Sequence, residues 1–203
     1  MKTMKYAAAL AVVLCAWPLT TTAMAVTIKV GSGPLTSHFV LESPNVGTRV
    51  YDVHYGNGGP TPVDAYDLFD AILAADPLVS ATVWNFGSAQ VPNYFIAGIT
   101  FGGVTEANTA LPPYAPSWTH WVAGGEAGFP AAAPVPSGSW SQGSGISAPF
   151  RFVEPGSWDA LVYADFETPP GVRPISSIPD SGGIALCGIA ALAIGFFRRI
   201  LPQ

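Results

Sequence analysis

Residues 61–76 read TPVDAYDLFDAILAAD, and apolar residues recur in this stretch at helical spacing. The apolar positions that one face of an α-helix would share are 65, 68, 69, 72 and 73. Thr61 can cap the helix with Pro62 at its first position, and Asp64 suits the first turn, where a negative charge is favourable. The pattern predicts one amphipathic helix over 63–75 that packs on the rest of the molecule through its apolar face.

The segments on both sides of this helix are typical of β-strands. They are rich in β-branched and aromatic residues, and glycines and prolines separate them. The predicted strands are 26–30, 38–42, 49–55, 81–86, 93–101, 117–122, 150–153 and 158–166, and 129–147 is predicted to be loop. The fold class that we expect is mainly β with one packed α-helix, with a β-grasp-like fold as first choice and a β-sandwich as second.

The N-terminal residues 1–25 are typical of a secretory signal peptide. Lys2 and Lys5 give a basic start, and residues 7–17 are apolar but too few for a comfortable membrane span. Pro18 breaks this run, and a small-residue pattern, Ala-Met-Ala, precedes the expected cleavage site. An N-terminal membrane anchor is the alternative, which the proline and the small-residue pattern disfavour.

The C-terminal residues 178–203 form a second processing segment. The motif Ile178-Pro179-Asp180-Ser181-Gly182 precedes fifteen uncharged, mostly apolar residues and the basic pair Arg198 and Arg199. Fifteen helical residues rise roughly 22 Å, whereas the hydrocarbon core of a bilayer is about 30 Å thick. We therefore expect a transmembrane helix that serves as a transient anchor, with both arginines on the cytoplasmic side.

This order of motif, apolar helix and arginine pair resembles the C-terminal sorting signals of the PEP-CTERM class, in its Val-Pro-Asp-Ser-Gly variant. Ile178 stands where that variant most often has valine. The resemblance implies export through the Sec translocon and processing near Pro179, Asp180 and Ser181 by an exosortase, a membrane transpeptidase-like enzyme. It also implies an inner-membrane-anchored precursor that then reaches the cell surface or the extracellular matrix, with exopolysaccharide as a candidate partner.

Composition excludes several classes of site and partner for the segment between the two ends. Both cysteines, Cys15 and Cys187, fall in the processing segments, so the expected mature body has no disulfide and no thiolate metal site. Residues 26–177 contain four basic and twelve acidic residues, a net charge near −8. This charge argues against nucleic acid and anionic lipid as partners. We expect a secreted β-rich domain over 26–167 and a Pro-rich linker over 168–177.

A second resemblance covers about 63–164. An early helix is followed by the run 93–99, the run Trp118-Thr119-His120-Trp121-Val122, an acidic-Pro-Gly turn and the run 158–163. This order resembles the small β-grasp-like module found as the C-terminal domain of transcobalamin and in many bacterial surface proteins. Ala123 stands where that family has an asparagine. The resemblance implies a small-ligand or interaction module rather than an enzyme.

No nucleophile, zinc or phosphate-loop motif occurs in the body of the sequence. Two sets of carboxylates leave alternatives open. The first, at helical spacing, is Asp64, Asp67 and Asp70. It could contribute to a calcium site, although a solvated helix face is the simpler interpretation. The second, in loops or at strand edges, is Glu106, Glu126 and Glu154. A pair of these could hydrolyse a glycoside if their separation suited it. The histidines at 38, 54 and 120 lack paired spacing, so we predict no metal site.

The best candidate recognition surface surrounds His120. Because Trp118 and Trp121 are three residues apart on a predicted strand, their side chains should face opposite sides of the sheet. We expect Trp118 in the core and Trp121 exposed beside His120, where it could stack on a sugar or another flat ligand. The remaining tryptophans of the body, which we expect in the core, are Trp84, Trp140 and Trp158.

The sequence therefore predicts a secreted, exosortase-processed cell-surface or exopolysaccharide-matrix protein with no enzymatic activity and no cofactor. His120 and Trp121 are its candidate ligand-binding residues. A carbohydrate-binding module that uses an exposed tryptophan is one alternative, and a secreted hydrolase is the other.

Overall fold

The computed structural model describes residues 26–58, 61–88, 91–108 and 116–174. The predicted signal peptide and the predicted sorting segment, including its motif and its arginine pair, lie outside these residues. The described part is mainly β with one α-helix, which confirms the predicted fold class at that level. It contains no helix that is both long enough and apolar enough to span a bilayer.

The elements of the described part are, in chain order, β1 Val26–Gly31, β2 Leu35–Ser43, β3 Gly47–Tyr55, α1 Ala65–Ala75, β4 Val79–Asn85, β5 Tyr94–Phe101, β6 Val104–Ala107, β7 Ser117–Ala123, β8 Glu126–Ala127, β9 Ala133–Pro134, β10 Ser141–Gln142, β11 Arg151–Phe152 and β12 Trp158–Ala164. All eight predicted strands are present, with ends shifted by a few residues. Strands β6 and β8 were not predicted, and the predicted loop over 129–147 was partly wrong, because it contains the two-residue strands β9 and β10.

A mixed sheet of six strands organises the domain, in the order β1-β3-β2-β12-β7-β10. Strands β1 and β3 pair in parallel, as do β2 and β12, and the other neighbours are antiparallel. Two three-stranded antiparallel sheets complete the described fold, in the orders β4-β5-β6 and β11-β8-β9. The chain therefore returns to the centre of the main sheet only with its last strand, β12, between β2 and β7.

The predicted helix forms, but it begins later than the sequence suggested. Asp64, rather than Thr61, is the N-cap residue, and its side chain accepts a hydrogen bond from the backbone N–H of Asp67 at 3.0 Å. A second Asp64 oxygen accepts from the backbone N–H of Ala148 at 2.8 Å, so the same carboxylate fixes a distant loop. Because Asp64 satisfies both donors, the helix starts at Ala65 and Pro62 lies before it.

Two cores lie on opposite faces of the six-stranded sheet. The first includes α1, through Leu68, Phe69 and Ile72, and the inner face of the β4-β5-β6 sheet. Leu73, which we expected in this core, is only partly buried against it. The second core lies on the other face and contains residues of β2, β3, β7 and β12; its buried members are Val40, Val50, Trp121, Ala123, Trp158, Ala160 and Val162. Strand alternation in β3 places Tyr51 and Val53 in the first core and Val50 in the second.

Residues 165–174, which we call the C-terminal strap, lie against the domain. Trp140 Nε1 donates a hydrogen bond to the carbonyl of Val172 at 2.6 Å, and Gly171 N donates to the Glu42 carboxylate at 3.0 Å. Pro170 and Pro174 are buried. Residues 168–174 of the predicted linker thus contact the domain at a few points, and residues 175–177 lie outside the described residues.

Candidate functional site

A buried cluster of three polar side chains, those of His120, Asp159 and Arg151, lies at the centre of the main sheet. Arg151 and Asp159 are fully buried, and they form two parallel hydrogen bonds of 2.8 Å, from Arg151 Nε to Asp159 Oδ1 and from Arg151 Nη2 to Asp159 Oδ2. His120 is 8% exposed, and its Nε2 lies 2.9 Å from Asp159 Oδ1. Arg151 Nη1 also donates to the carbonyl of Gly124 at 2.6 Å. The arginine therefore holds Asp159 rigidly, and Asp159 in turn orients the imidazole of His120.

The charge of this cluster is balanced within itself. Burial alone would raise the pKa of Asp159, but the neighbouring charge of Arg151 and the hydrogen bonds from His120 and Arg151 outweigh it and lower the pKa below its ordinary value. Asp159 is thus an anion that accepts hydrogen bonds only. His120 Nε2 must then carry the proton that it donates to Asp159.

A groove of about 180 Å³ passes over His120. Its walls come from the start of β5, the middle of β7, the loop after β10 and the C-terminal strap. The lining residues are Tyr94, Phe95, Ile96, Trp118, Thr119, His120, Gly143, Ser144, Gly145, Ile146, Leu161 and Phe166. The walls are mostly apolar and aromatic with a few polar groups, as is common for ligand sites.

His120 Nδ1 is buried and has no hydrogen-bond partner among the described residues. It lies against Gly143, where an added Cβ would come within 2.3 Å of Nδ1, so only glycine fits beside the ring. Gly143 N donates to the carbonyl of His120 at 2.9 Å, which fixes the loop beside the ring. The Gly143 backbone covers this nitrogen, and a buried polar atom without a partner is costly.

The expected exposure of Trp121 is wrong. Trp118 and Trp121 do face opposite sides of β7, but both are buried, at 9% and 8% exposure. The physical reason is that the C-terminal strap and Trp140 cover the face that we expected to be open. Trp121 therefore lies in the second core, away from the groove that its neighbour His120 lines. Binding of a ligand at His120 stays a prediction, but Trp121 does not form part of that groove.

An exposed aromatic patch lies beside the groove, and it corrects a second expectation. Trp84 is 51% exposed rather than buried, and Phe86 is 67% exposed. Together with Phe95 they form the patch, with ring centroids 5.9 to 6.0 Å apart. Phe95 also lines the groove, so the two surfaces are continuous. Val83 packs against the first core, and strand alternation therefore turns its neighbour Trp84 outward.

The other tryptophans follow the expectation more closely. Trp158 is buried at 8% exposure, and Trp140 is partly buried against the second core. Arg151 and Asp159 had no place in the predicted site. The available signal was that each is a lone charge in a strongly apolar strand, Phe150-Arg151-Phe152 and Trp158-Asp159-Ala160, where an unpaired charge would be costly.

The members of the two carboxylate sets differ in how they are engaged. Asp64 is engaged by backbone N–H groups, whereas Asp67 and Asp70 are exposed. Glu106 is buried, and its Oε1 accepts from Asn45 Nδ2 at 2.7 Å. Within the described ranges, no three His, Cys, Asp or Glu side chains are placed to hold a metal ion together.

A larger cavity of about 440 Å³ lies at the ends of β1 and β3 near α1. Asp67 and Asp70 lie at its rim, and Asp67 Oδ2 already accepts from the backbone N–H of Val63 at 2.7 Å. His54 also lines it, but the ring alternates with Val53 and lies on the other face of the sheet, where Nδ1 is 3.0 Å from Thr36 Oγ1. The cavity thus offers carboxylates but no orienting side chain comparable to His120.

No protein-family model, curated protein or solved structure matches this chain.

Proposed function

We propose that the protein is an exported cell-surface or matrix protein without enzymatic activity, and that its domain binds a polysaccharide. Its C-terminal residues 178–203 would direct exosortase processing, and the aromatic patch would be the contact surface. The resemblance of that segment to PEP-CTERM signals supports the destination. The patch supports the binding function.

The observation that carries the proposal is the exposure of Trp84 and Phe86 next to Phe95. Single exposed apolar residues are ordinary, whereas several exposed rings in contact mark a binding surface. Flat rings offer contact area at a small entropic cost, because each has only two side-chain torsions to fix. Rings at the tip of the β4-β5 hairpin would stack against the faces of sugar units.

The acidic charge of the domain favours an uncharged polymer as the ligand. Residues 26–177 have a net charge near −8, from twelve acidic and four basic residues. An anionic polymer would be repelled by this charge. The patch itself has no basic residue, so nothing in it would compensate for the repulsion.

A β-grasp-like fold remains our proposal for the architecture. A helix packed on one face of a mixed sheet supports it. The β4-β5-β6 sheet on that same face supports the β-sandwich alternative, because two sheets then share one core.

Affinity electrophoresis of residues 26–177 tests the proposed function. The polymers would be dextran, mannan and the exopolysaccharide extracted from the native host. We expect retardation by at least one of them, and loss of about tenfold or more in affinity for Trp84→Ala and for Phe86→Ala. Both variants should keep the stability of the parent within about 0.5 kcal/mol, because both side chains are exposed.

Phe129→Ala is the matched control. Phe129 is 72% exposed and contacts Phe150, so it is an exposed aromatic residue outside the patch. Its removal should leave retardation unchanged. Equal binding by the parent, the patch variants and the control would contradict the proposal, as would the absence of binding to every polymer.

A further inference from the structure

The three-stranded sheet that carries the aromatic patch has an outer face without charge. Residues 77–105 cover β4, β5 and the start of β6, and they contain no Asp, Glu, Lys, Arg or His. Glu106 is the only charged residue of these three strands, and it is buried. Exposed protein surfaces usually carry charged residues, and this domain has a net charge near −8. The outer face of this sheet is therefore unlike the rest of the surface, and it favours a neutral partner.

Strand alternation separates this face from the core. Ala81 and Val83 of β4 pack against the first core, so their neighbours Ser80, Thr82 and Trp84 point away from it. All three of these outward residues are exposed. The outward side of β4 thus carries two hydroxyl groups that lead up to the indole ring of the patch.

Strand pairing places hydroxyl groups together at the end of this face that lies away from the patch. Ser80 pairs with Thr100, and Thr100 pairs in turn with Thr105. Residues that pair directly share a face, so the three side chains form one row across the sheet, which we call the hydroxyl row. Thr100 Oγ1 and Thr105 Oγ1 are 2.7 Å apart and exposed. Their mutual hydrogen bond uses one of their two hydroxyl protons, which leaves the other proton and several lone pairs for a ligand.

The hydroxyl row and the aromatic patch are the two ends of one surface. Four residues of β4 separate Ser80 from Trp84, which is about 13 Å at roughly 3.3 Å per residue. Between them, Thr82 pairs with Gly98, which has no side chain to rise above the sheet. The surface is therefore long enough for more than one unit of a polymer, and its middle is flat.

The chemistry of the two ends fits a neutral sugar chain. Trp84 and Phe95 offer ring faces for the apolar side of a sugar. The hydroxyl row can both donate to and accept from sugar hydroxyl groups. A charged ligand group would lose hydration here without meeting a counter-ion on this face.

We infer that the hydroxyl row is a second subsite for the polysaccharide, and that one neutral chain lies along β4 from the aromatic patch to this row. The inference rests on the proposed function, because the patch holds one end of the chain. It adds a dependence on ligand length. Once the patch holds the first units, the row meets the later units of the same chain at a high effective concentration.

Ligand length and a pair of substitutions separate the two subsites. The probes are chains of six and of two sugar units, prepared from dextran, mannan and the host exopolysaccharide. Titration calorimetry uses the full-length protein in a detergent without a sugar headgroup. Thr100→Val and Thr105→Val, made together, remove two hydroxyl groups and keep β-branched side chains in the strands. Thr27→Val is the matched control, because Thr27 is an exposed residue of β1, in another sheet.

We expect the parent to bind at least one six-unit chain about tenfold or more tightly than the two-unit chain of the same polymer. The double threonine variant should bind that six-unit chain about 5- to 20-fold more weakly, as expected for one or two lost hydrogen bonds, and the two-unit chain as the parent does. Trp84→Ala should weaken binding of both lengths, and Thr27→Val of neither.

A measurement on the parent protein keeps the test open if the double variant fails to fold. The backbone amide resonances of Thr100 and Thr105 should shift when the six-unit chain is added and stay in place with the two-unit chain. Threonines with a merely structural role would show no such dependence on ligand length.

Failure of this inference is distinguishable from failure of the proposed function. If Trp84→Ala weakens binding but the double threonine variant binds the six-unit chain as tightly as the parent, the patch binds alone and the hydroxyl row is not a subsite. Equal binding of both lengths, or binding of a polymer but of no six-unit chain, would contradict the inference in the same way. If the parent binds no polymer, the proposed function fails and this inference fails with it.

A second copy of the chain is the competing occupant of this face. Sedimentation of the parent protein should show a monomer. A dimer that Thr82→Lys dissociates would overturn the inference, because the uncharged face would then be covered by its own copy.

Discussion

Trp118 and Trp121 lie on the same strand, β7, and are buried in the two separate cores that the six-stranded sheet divides. Their indole nitrogens have different surroundings. Trp118 Nε1 donates to the carbonyl of Glu106 at 2.8 Å, whereas Trp121 Nε1 is buried with no acceptor among the described residues. One tryptophan thus joins β7 to the β4-β5-β6 sheet, and the other fills space beneath the strap.

This difference predicts unequal effects of the same substitution. Trp118→Phe should destabilise the domain more than Trp121→Phe, by about 1–2 kcal/mol, because only the first change breaks a buried hydrogen bond. Both lose similar volume, so the cavity contribution should largely cancel. Urea unfolding of the two variants measures the difference, and equal losses of stability would contradict this account of the indole N–H groups.

Breaking the Arg151–Asp159 pair should greatly lower the free energy of unfolding of the domain. Asp159→Asn leaves a buried guanidinium without its counter-ion, so we expect a loss of about 3–5 kcal/mol at pH 7. Asp165→Asn, at an exposed position, should change stability by less than about 0.5 kcal/mol. Chemical unfolding of both variants gives the comparison. A loss below about 1 kcal/mol for Asp159→Asn would show that the pair is not a buried ion pair in solution.

Asp159 should also make the domain sensitive to acid. Its pKa is lower in the folded protein than in the unfolded chain, so below about pH 4 the unfolded state binds more protons. Its stabilising contribution is therefore fully present above about pH 4 and is lost as the pH falls. Asp64 acts in the opposite direction, because burial raises its pKa above the ordinary value. Unfolding midpoints measured from pH 2.5 to 7 should decline less steeply in Asp159→Asn than in the parent.

The helix α1 offers a matched pair of aspartates. Asp64→Ala should cost about 1–2 kcal/mol, because it removes both the N-cap and the acceptor for Ala148 N. Asp67→Ala should cost less, about 0.5–1 kcal/mol, because it removes only the exposed hydrogen bond from the backbone N–H of Val63. Leu68→Ala should cost about 2–5 kcal/mol, because Leu68 is fully buried. Thermal unfolding ranks the three, and a larger effect of Asp67→Ala than of Asp64→Ala would contradict the observed cap.

The sorting proposal predicts where the mature protein ends. Mass spectrometry of the protein extracted from the surface of its native host should find a C-terminus within residues 178–182. An intact Arg198 in most molecules would rule out processing at the motif.

Much of the fold could be predicted because local signals were strong. Helical periodicity predicted α1, and runs of β-branched residues predicted the long strands of the main sheet. The strands of two residues, such as β9 and β10, carry no periodicity, since they exist only through pairing with a distant partner. The prediction of Thr61 as the N-cap was wrong for a similar reason. Asp64 gains its second hydrogen bond from Ala148, which is remote in sequence.

The site was only partly predictable. His120 was identified from its aromatic neighbours, and it does line the groove. Strand alternation correctly separated Trp118 from Trp121, but alternation specifies only the face of a sheet and not what covers that face. Whether Trp84 or Trp121 is exposed depends on where the C-terminal strap and the β4-β5 hairpin pack. Local sequence patterns do not specify this tertiary packing.

The strap also limits how far the domain can stand from a membrane. Its last described residue, the buried Pro174, precedes the apolar segment that begins at Gly183 by nine residues, a span of at most about 32 Å even for a fully extended chain. With the tail inserted, the connecting segment would be short, and the domain would be held near the bilayer. An insertion of ten Gly and Ser residues after Pro174 should therefore speed cleavage if access of the processing enzyme is limiting. Release by cleavage would then be the step at which the groove and the patch first become free to meet a polymer in any orientation.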